Sequence, residues 1–211
     1  MRGINSGGGF AHNVASPPTR ETAMTRTRLF QAIAPAALLV ASLLPASVGA
    51  QQNFDKVEIK TEKLGTNTYV LFGAGGNIGV SVGDDALFLI DDQYAPLTPK
   101  IMAALKTITD KPVKFLLNTH WHGDHTGGNE NMGKQGVIIV AHDNVRKRMS
   151  SEQFIKLLQS KVPPSPKEAL PVITFSSDVT FHLNGDEING FHVPAAHTDG
   201  DTIVHFRKAN V

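Results

Sequence analysis

The sequence predicts a mixed α/β (α+β) layered domain, and three patterns predict it. Short segments of strand-type patterning open the region after residue 53. A single helix-spaced stretch then precedes two continuous apolar runs, and short alternating segments return toward the end. Strands, then β-α-β alternation, then strands again give a mixed sheet with helices packed outside it.

The elements follow in order. Residues 57–62 alternate apolar and polar side chains, as a half-buried strand does. Residues 66–72 form a second strand, ending at the loop Gly73, Ala74, Gly75, Gly76 and Asn77, a hairpin connection whose glycines allow positive φ. Residues 78–82 return as a third strand. Gly83, Asp84 and Asp85 make a tight turn. Residues 86–90 are continuously apolar, which marks a strand buried on both faces, and Asp91 and Asp92 end it. Leu97, Ile101, Ala104, Leu105 and Ile108 repeat at helical spacing, with Thr98 as N-cap and Pro99 at the first helical position. Strands are expected at residues 113–119 and 137–141. A helix is expected over 142–158, with a break near Met149 and Ser150, followed by a stiff proline-rich loop at 162–166. Short strands at 173–175, 179–183, 187–193 and 203–206 complete the chain, with Asn184-Gly185 as a hairpin turn.

Composition narrows the function. The chain has no cysteine, so disulfides, thiolate metal sites and cysteine nucleophiles are excluded. A formal net charge of +1 provides no strong basic field, and no nucleic-acid partner is expected. The N-terminus has the form of a processed leader. A basic segment with Arg26 and Arg28 precedes an apolar stretch over residues 29–44, and Val48, Gly49 and Ala50 supply small residues for cleavage. Residues 1–50 are therefore read as a leader carrying a secretory signal peptide, with translation starting at Met24 and cleavage after Ala50. Pro35 and Pro45 interrupt the apolar stretch, which argues against stable membrane insertion. The protein is expected to be secreted or periplasmic, and residues 51–211 to form the functional domain.

Chemistry concentrates in His120, Trp121, His122, Gly123, Asp124 and His125, at the end of the strand over 113–119. Imidazole and carboxylate suit zinc and other first-row metals. His120 and His122 are two residues apart, so in extended backbone they project from one face and can share a metal. Asp124 and His125 lie just beyond and can reach a second one. Two metals can hold a hydroxide and polarise a carbonyl. His197 sits in a loop after the strand ending near Val193, where a third ligand would stand; the alternative is a loop histidine hydrogen-bonded to Asp199 or Asp201. His142 reads as a capping or surface residue, and His182 and His205 as core or sheet-face residues. His192 has proximity to His197 and nothing more.

The six-residue motif, Gly127-Gly128, the run Leu89-Ile90-Asp91 and the segment from Pro194 to Asp201 around His197 resemble the metallo-β-lactamase superfamily, over about Val57 to the C-terminus. The resemblance implies a four-layer αββα sandwich with metals at one edge of its sheets. It implies that His120, His122 and His197 hold one zinc and Asp124 and His125 a second, with an activated hydroxide attacking a carbonyl. Asp124 would be the catalytic residue that orients this hydroxide, and Asp91 would hydrogen-bond behind the ligands. Substrate-binding residues are not identified by it, although the 73–77 loop is a candidate flap and Trp121 a candidate pocket wall. Family members carry a further aspartate or cysteine and a final histidine after the third histidine. This chain reaches Val211 without them, so the resemblance implies that the C-terminal part, and with it the second half of the sandwich, is missing. The expected function is exported zinc-dependent hydrolysis of a small molecule, with β-lactams as one substrate class. Thioester or lactone hydrolysis is the alternative within the family, as are an iron-using redox variant and a non-catalytic metal-binding accessory protein.

Overall fold

The computed structural model describes residues 53–211. The leader assigned to residues 1–50 lies outside the described residues. Among the described residues, no helix is long and apolar enough to cross a membrane.

A seven-stranded sheet forms the centre, in the order β1-β2-β3-β4-β5-β6-β9. Its antiparallel part comprises β1 (Lys60–Lys63), β2 (Thr68–Phe72), β3 (Ile78–Val82) and β4 (Leu87–Ile90). Its parallel part adds β5 (Val113–Asn118), β6 (Ile138–His142) and β9 (Ile173–Phe175). A second, antiparallel sheet contains β10 (Asp178–Leu183), β11 (Asp186–His192) and β12 (Thr202–Phe206). Helix α1 (Thr98–Lys106) crosses from β4 to β5, and α3 (Asn129–Lys134) and α4 (Asp143–Met149) flank β6 in sequence.

The pattern of β4 explains the layering. Leu87 and Leu89 point into the core shared with Ile101 and Leu105 of α1, whereas Phe88 and Ile90 point into the core shared with Ile188 and Phe206 of the second sheet. A strand with a layer on each face must be apolar throughout, and all four residues of β4 are buried. Phe88 is fully buried between the sheets, its ring 4.8 Å from that of Phe181. The described residues thus stack as helix, sheet, sheet, three layers of the expected α/β sandwich.

Several local expectations are corrected. Thr98 is the first residue of α1 and not its cap; a 3-10 turn at Ala95–Leu97 leads into the helix. The helix expected over 142–158 stops at Met149. Ser150 and Ser151 donate hydroxyls to the carbonyls of Arg146 and Lys147, satisfying the last turn, and the chain then forms a hairpin of β7 (Gln153–Ile155) and β8 (Ser160–Val162). Residues 126–129 contain the end of α2 (Gly123–Thr126) and the start of α3. Gly127 and Gly128 have ordinary helical φ. They are needed for close approach: a Cβ would lie 2.6 Å from the Gly123 carbonyl oxygen and 2.8 Å from Asp92 Cγ, respectively.

Asp92 is a polar group at the base of this packing. It is 0% exposed; its Oδ1 accepts from the Gly128 amide, and its Oδ2 has no partner among the described residues. Burial, with a smaller contribution from the charge of Asp91 and against the Gly128 hydrogen bond, raises its pKa well above the usual carboxylate value. A raised folded-state pKa favours folding fully only below the unfolded value of 3.8, and that contribution is lost as pH rises through the folded value. Asp92→Asn removes this dependence. Matched at low pH, the variant should gain stability over the parent as pH rises to 7. Urea midpoints at pH 3.5 and 7 check this, and equal differences at both would refute it.

Candidate metal centre

The site is built where β4 and β5, parallel neighbours, end together. Beyond β4 the chain turns sharply, with Asp91 and Gln93 in the left-handed region at φ 63° and 57°. Non-glycine residues there cost roughly 1–2 kcal/mol each, so the conformation needs compensation. Asp91 obtains it from three donors, each at 2.7 Å: the Thr119 amide to Oδ1, and the Thr119 hydroxyl and His125 Nδ1 to Oδ2. Burial pushes the Asp91 carboxyl up in pKa, against these same hydrogen bonds and the charge of His125. Burial in turn pulls His125 down, but the Asp91 bond and the charges of Asp91 and Asp124 outweigh it and leave its pKa above the usual histidine value.

The residues after Thr119 deliver the ligands. His122 is extended, with ψ 149°, and caps the short helix α2, which carries Asp124 and His125 back toward His120. The rings of His120 and His122 lie 4.9 Å apart, and those of His120 and His125 4.1 Å. The Trp121 ring lies 4.6 Å from that of His122. It packs against the cluster of Ala141, Val145, Met149 and Ala169, and with Met149, Ile155 and Val162 it lines a cavity of about 250 Å³ under the β7–β8 hairpin.

His197 arrives from the loop between β11 and β12. Its Nε2 is 3.0 Å from His122 Nδ1, and its ring centre 4.9 Å from that of His120. Asp199 and Asp201 have other partners: Asp199 pairs with Arg148, while Asp201 accepts from the Thr198 amide and hydroxyl. Two sets of side chains can therefore each bring three ligand atoms within 4.8 Å of one another: His120, His122 and His197, and His120, Asp124 and His125. His120, expected in the first set alone, belongs to both.

The donor chemistry fits metal. His120 Nδ1 meets the Thr119 hydroxyl, and His125 Nδ1 meets Asp91, which leaves the Nε2 atoms for an ion. Burial first, then the positive charges of His125, His122 and His197, lowers the His120 pKa to about 4. Burial and the charge of His197 also lower His122. Both are thus neutral near pH 7, as metal ligation requires.

The other histidines separate cleanly. His142 caps α4, its Nδ1 accepting from the Asn144 amide, and its ring stacks on His192 at 3.7 Å. His182 and His205 lie on the exposed face of the second sheet. The 73–77 loop is seated against the motif: the Gly76 amide donates to the Asp124 carbonyl at 3.3 Å, and a Cβ on Gly76 would overlap the His125 ring. Sequence reasoning missed Thr119, Asn144 and Arg148. Thr119 was within reach, as the polar residue ending an apolar strand just before the motif.

A family model described as the metallo-beta-lactamase superfamily matches residues 64–211. The beta-lactamase-like protein 2 homolog of Caenorhabditis elegans is 34% identical over 71 residues, 32% of this chain and 20% of that protein. Among solved structures, the FEZ-1 metallo-beta-lactamase from Legionella gormanii superposes with TM-score 0.62 at 20% identity, covering 71% of this chain and 58% of its own. BJP-1, a subclass B3 metallo-beta-lactamase of Bradyrhizobium japonicum, gives TM-score 0.60 at 21% identity, covering 71% and 57%. The chain spans less than two thirds of these relatives' lengths, and at such identities the structural likeness speaks for the fold. With the family model extending over most of the sequence, the chain belongs to the metallo-beta-lactamase superfamily.

Proposed function

We propose that the chain is the metal-binding part of an exported, zinc-dependent hydrolase that opens a small carbonyl compound. One observation carries this reading: five side chains from one short motif and one distant loop converge, with three-ligand sets on either side of His120. His120, His122 and His197 would hold one zinc, and Asp124 and His125, beside His120, a second. Bound zinc supplies Lewis acidity that polarises a carbonyl and brings the pKa of water toward neutrality.

The remaining work belongs to the chain. Asp91 holds the His125 ring by its Nδ1 proton and thereby fixes which nitrogen faces the site. Asp124, half-buried and 3.3 Å from His125 Nε2, presents a carboxylate that orients the nucleophile and takes its proton. Burial keeps His120 and His122 unprotonated. The similar structures are named as metallo-beta-lactamases, which makes β-lactams the first substrate class to try, with thioesters and lactones as the alternative. Iron in place of zinc is decided by metal analysis.

Hydrolysis of one class in a panel of a chromogenic cephalosporin, an aryl ester, a thioester and a lactone should vanish on chelation and return with zinc. His120→Ala, which removes a ligand common to both sets, should lose metal and at least 10²-fold in activity, on the scale at which single essential groups act. Turnover that survives chelation would overturn the reading.

Acid should destabilise the metal-free chain. His120 has a folded-state pKa of about 4 against 6.5 unfolded, so its contribution is present above pH 6.5 and lost as pH falls toward 4. Urea midpoints of chelated protein should fall across that window, and less steeply in His120→Ala. Expressed in a bacterium from Met24, the protein should be recovered from the periplasm beginning at Gln51; a cytoplasmic product keeping its leader would refute export.

A further inference from the structure

The loop that carries His197 has no ladder of its own. Residues 194–200 are turns and bends, Ala195 is left-handed at φ 52°, and His197 is exposed. Its base is closed by the Val193 amide and His192 Nδ1, which both reach the Asp201 carbonyl, at 2.8 and 3.0 Å. Its tip is gripped by α4. Asn144 Nδ2 donates to the Asp199 backbone carbonyl at 2.7 Å. Arg148 binds the Asp199 carboxylate through Nε at 3.2 Å to each oxygen and through Nη2 at 2.8 Å. Gly200 lies against the same helix, where a Cβ would come 2.9 Å from Val145 Cγ2. Asp199 is thus held by its main chain and its side chain together, two residues after His197.

We propose that Arg148 is a positioning residue for the metal centre, acting through Asp199 to hold His197 beside His122. This inference rests on the metal-binding reading above. Among the described residues, the Arg148 guanidinium bonds Asp199 and Gln153 and no member of the two ligand sets. As a stability device the pair is poor: both side chains are 44% exposed, and exposed ion pairs contribute little to folding. As a geometric device it is good, because a forked guanidinium fixes the carboxylate's orientation as well as its distance. It links α4, which follows β6 of the main sheet, to a loop whose neighbours belong to the second sheet. The position of His197 beside His122 is thus set from both sides, by Asp201 on the Thr198 amide and hydroxyl within the loop and by this clamp on Asp199.

The test uses the full chain and cobalt(II) as probe, read by its visible absorption and by competition with a chelator. Arg148→Ala should weaken, roughly ten-fold, the cobalt site that His197→Ala removes, as loss of partners behind metal ligands does, while the metal-free melting temperature stays near that of the parent. Asp199→Asn should reproduce the loss, and Arg148→Lys should recover part of it. In a His197→Ala background, Arg148→Ala should have no further effect. Unchanged cobalt affinity in Arg148→Ala, or an equal loss in the His197→Ala background, would overturn the proposal. Amide exchange at Thr198 and Gly200 in the metal-free chain gives an independent reading: faster exchange in Arg148→Ala supports the clamp, and unchanged exchange overturns it. If the parent chain binds no cobalt, the functional reading fails, and this exchange measurement still decides the clamp.

Discussion

Asp91 is the joint on which the site turns. Its amide donates to the Leu117 carbonyl of β5, and its carboxylate takes the Thr119 amide, the Thr119 hydroxyl and the His125 ring. One side chain therefore ties the end of β4 to the end of β5 and to the helix that returns the second part of the motif. Its left-handed backbone is unfavourable by roughly 1–2 kcal/mol. The three hydrogen bonds hold the carboxylate in this place and offset part of the cost of burying it. The same three bonds decide the chemistry, since a carboxylate that holds Nδ1–H of a histidine leaves Nε2 free for an ion.

Behind this joint the packing is close enough to dictate residue type. Gly76 fits because the His125 ring occupies the space a Cβ would need, and Gly128 because Asp92 does. Asn118 and Asn129 exchange side-chain hydrogen bonds at 3.0 and 2.8 Å beneath the motif, both fully buried. A satisfied buried amide pair of this kind admits few alternative geometries. The ligands therefore stand on a floor of fixed polar contacts, which is what a preorganised site requires.

How much of this was legible in the sequence depends on range. The β4 run announced burial on both faces, because four consecutive apolar residues have no other good placement at the end of a meander. The ligand motif was legible because its residues are adjacent and chemically rare. The β7–β8 hairpin was not: residues 153–162 carry no strong alternation, and what ends α4 is a pair of serine hydroxyls whose choice of the Arg146 and Lys147 carbonyls is invisible in a pattern. Arg148 and Asp199 are 51 residues apart, and nothing local to either marks the other as its partner. The stacked pair of His142 and His192 was split into two unremarkable residues for the same reason. His120, His122 and His197 show the boundary well: spacing proposes the first two as a pair, whereas the third needs the fold.

That difference in range has a physical consequence. Asp124 and His125 are organised within a few residues of His120 and braced by Asp91, so their ligand set is complete once β4, β5 and α2 have formed. The other set waits for a contact between His122 and His197 across 75 residues. It exists only after the second sheet has docked through Phe88 and Ile90 onto the first. The apolar cluster at that docking overcomes the entropic cost of closing the long loop, and an exposed histidine on an irregular loop adds little to it. An ion between His122 and His197 would add a favourable interaction at the point where the two sheets meet at the site. A metal that bound only the docked arrangement would stabilise that docking by mass action.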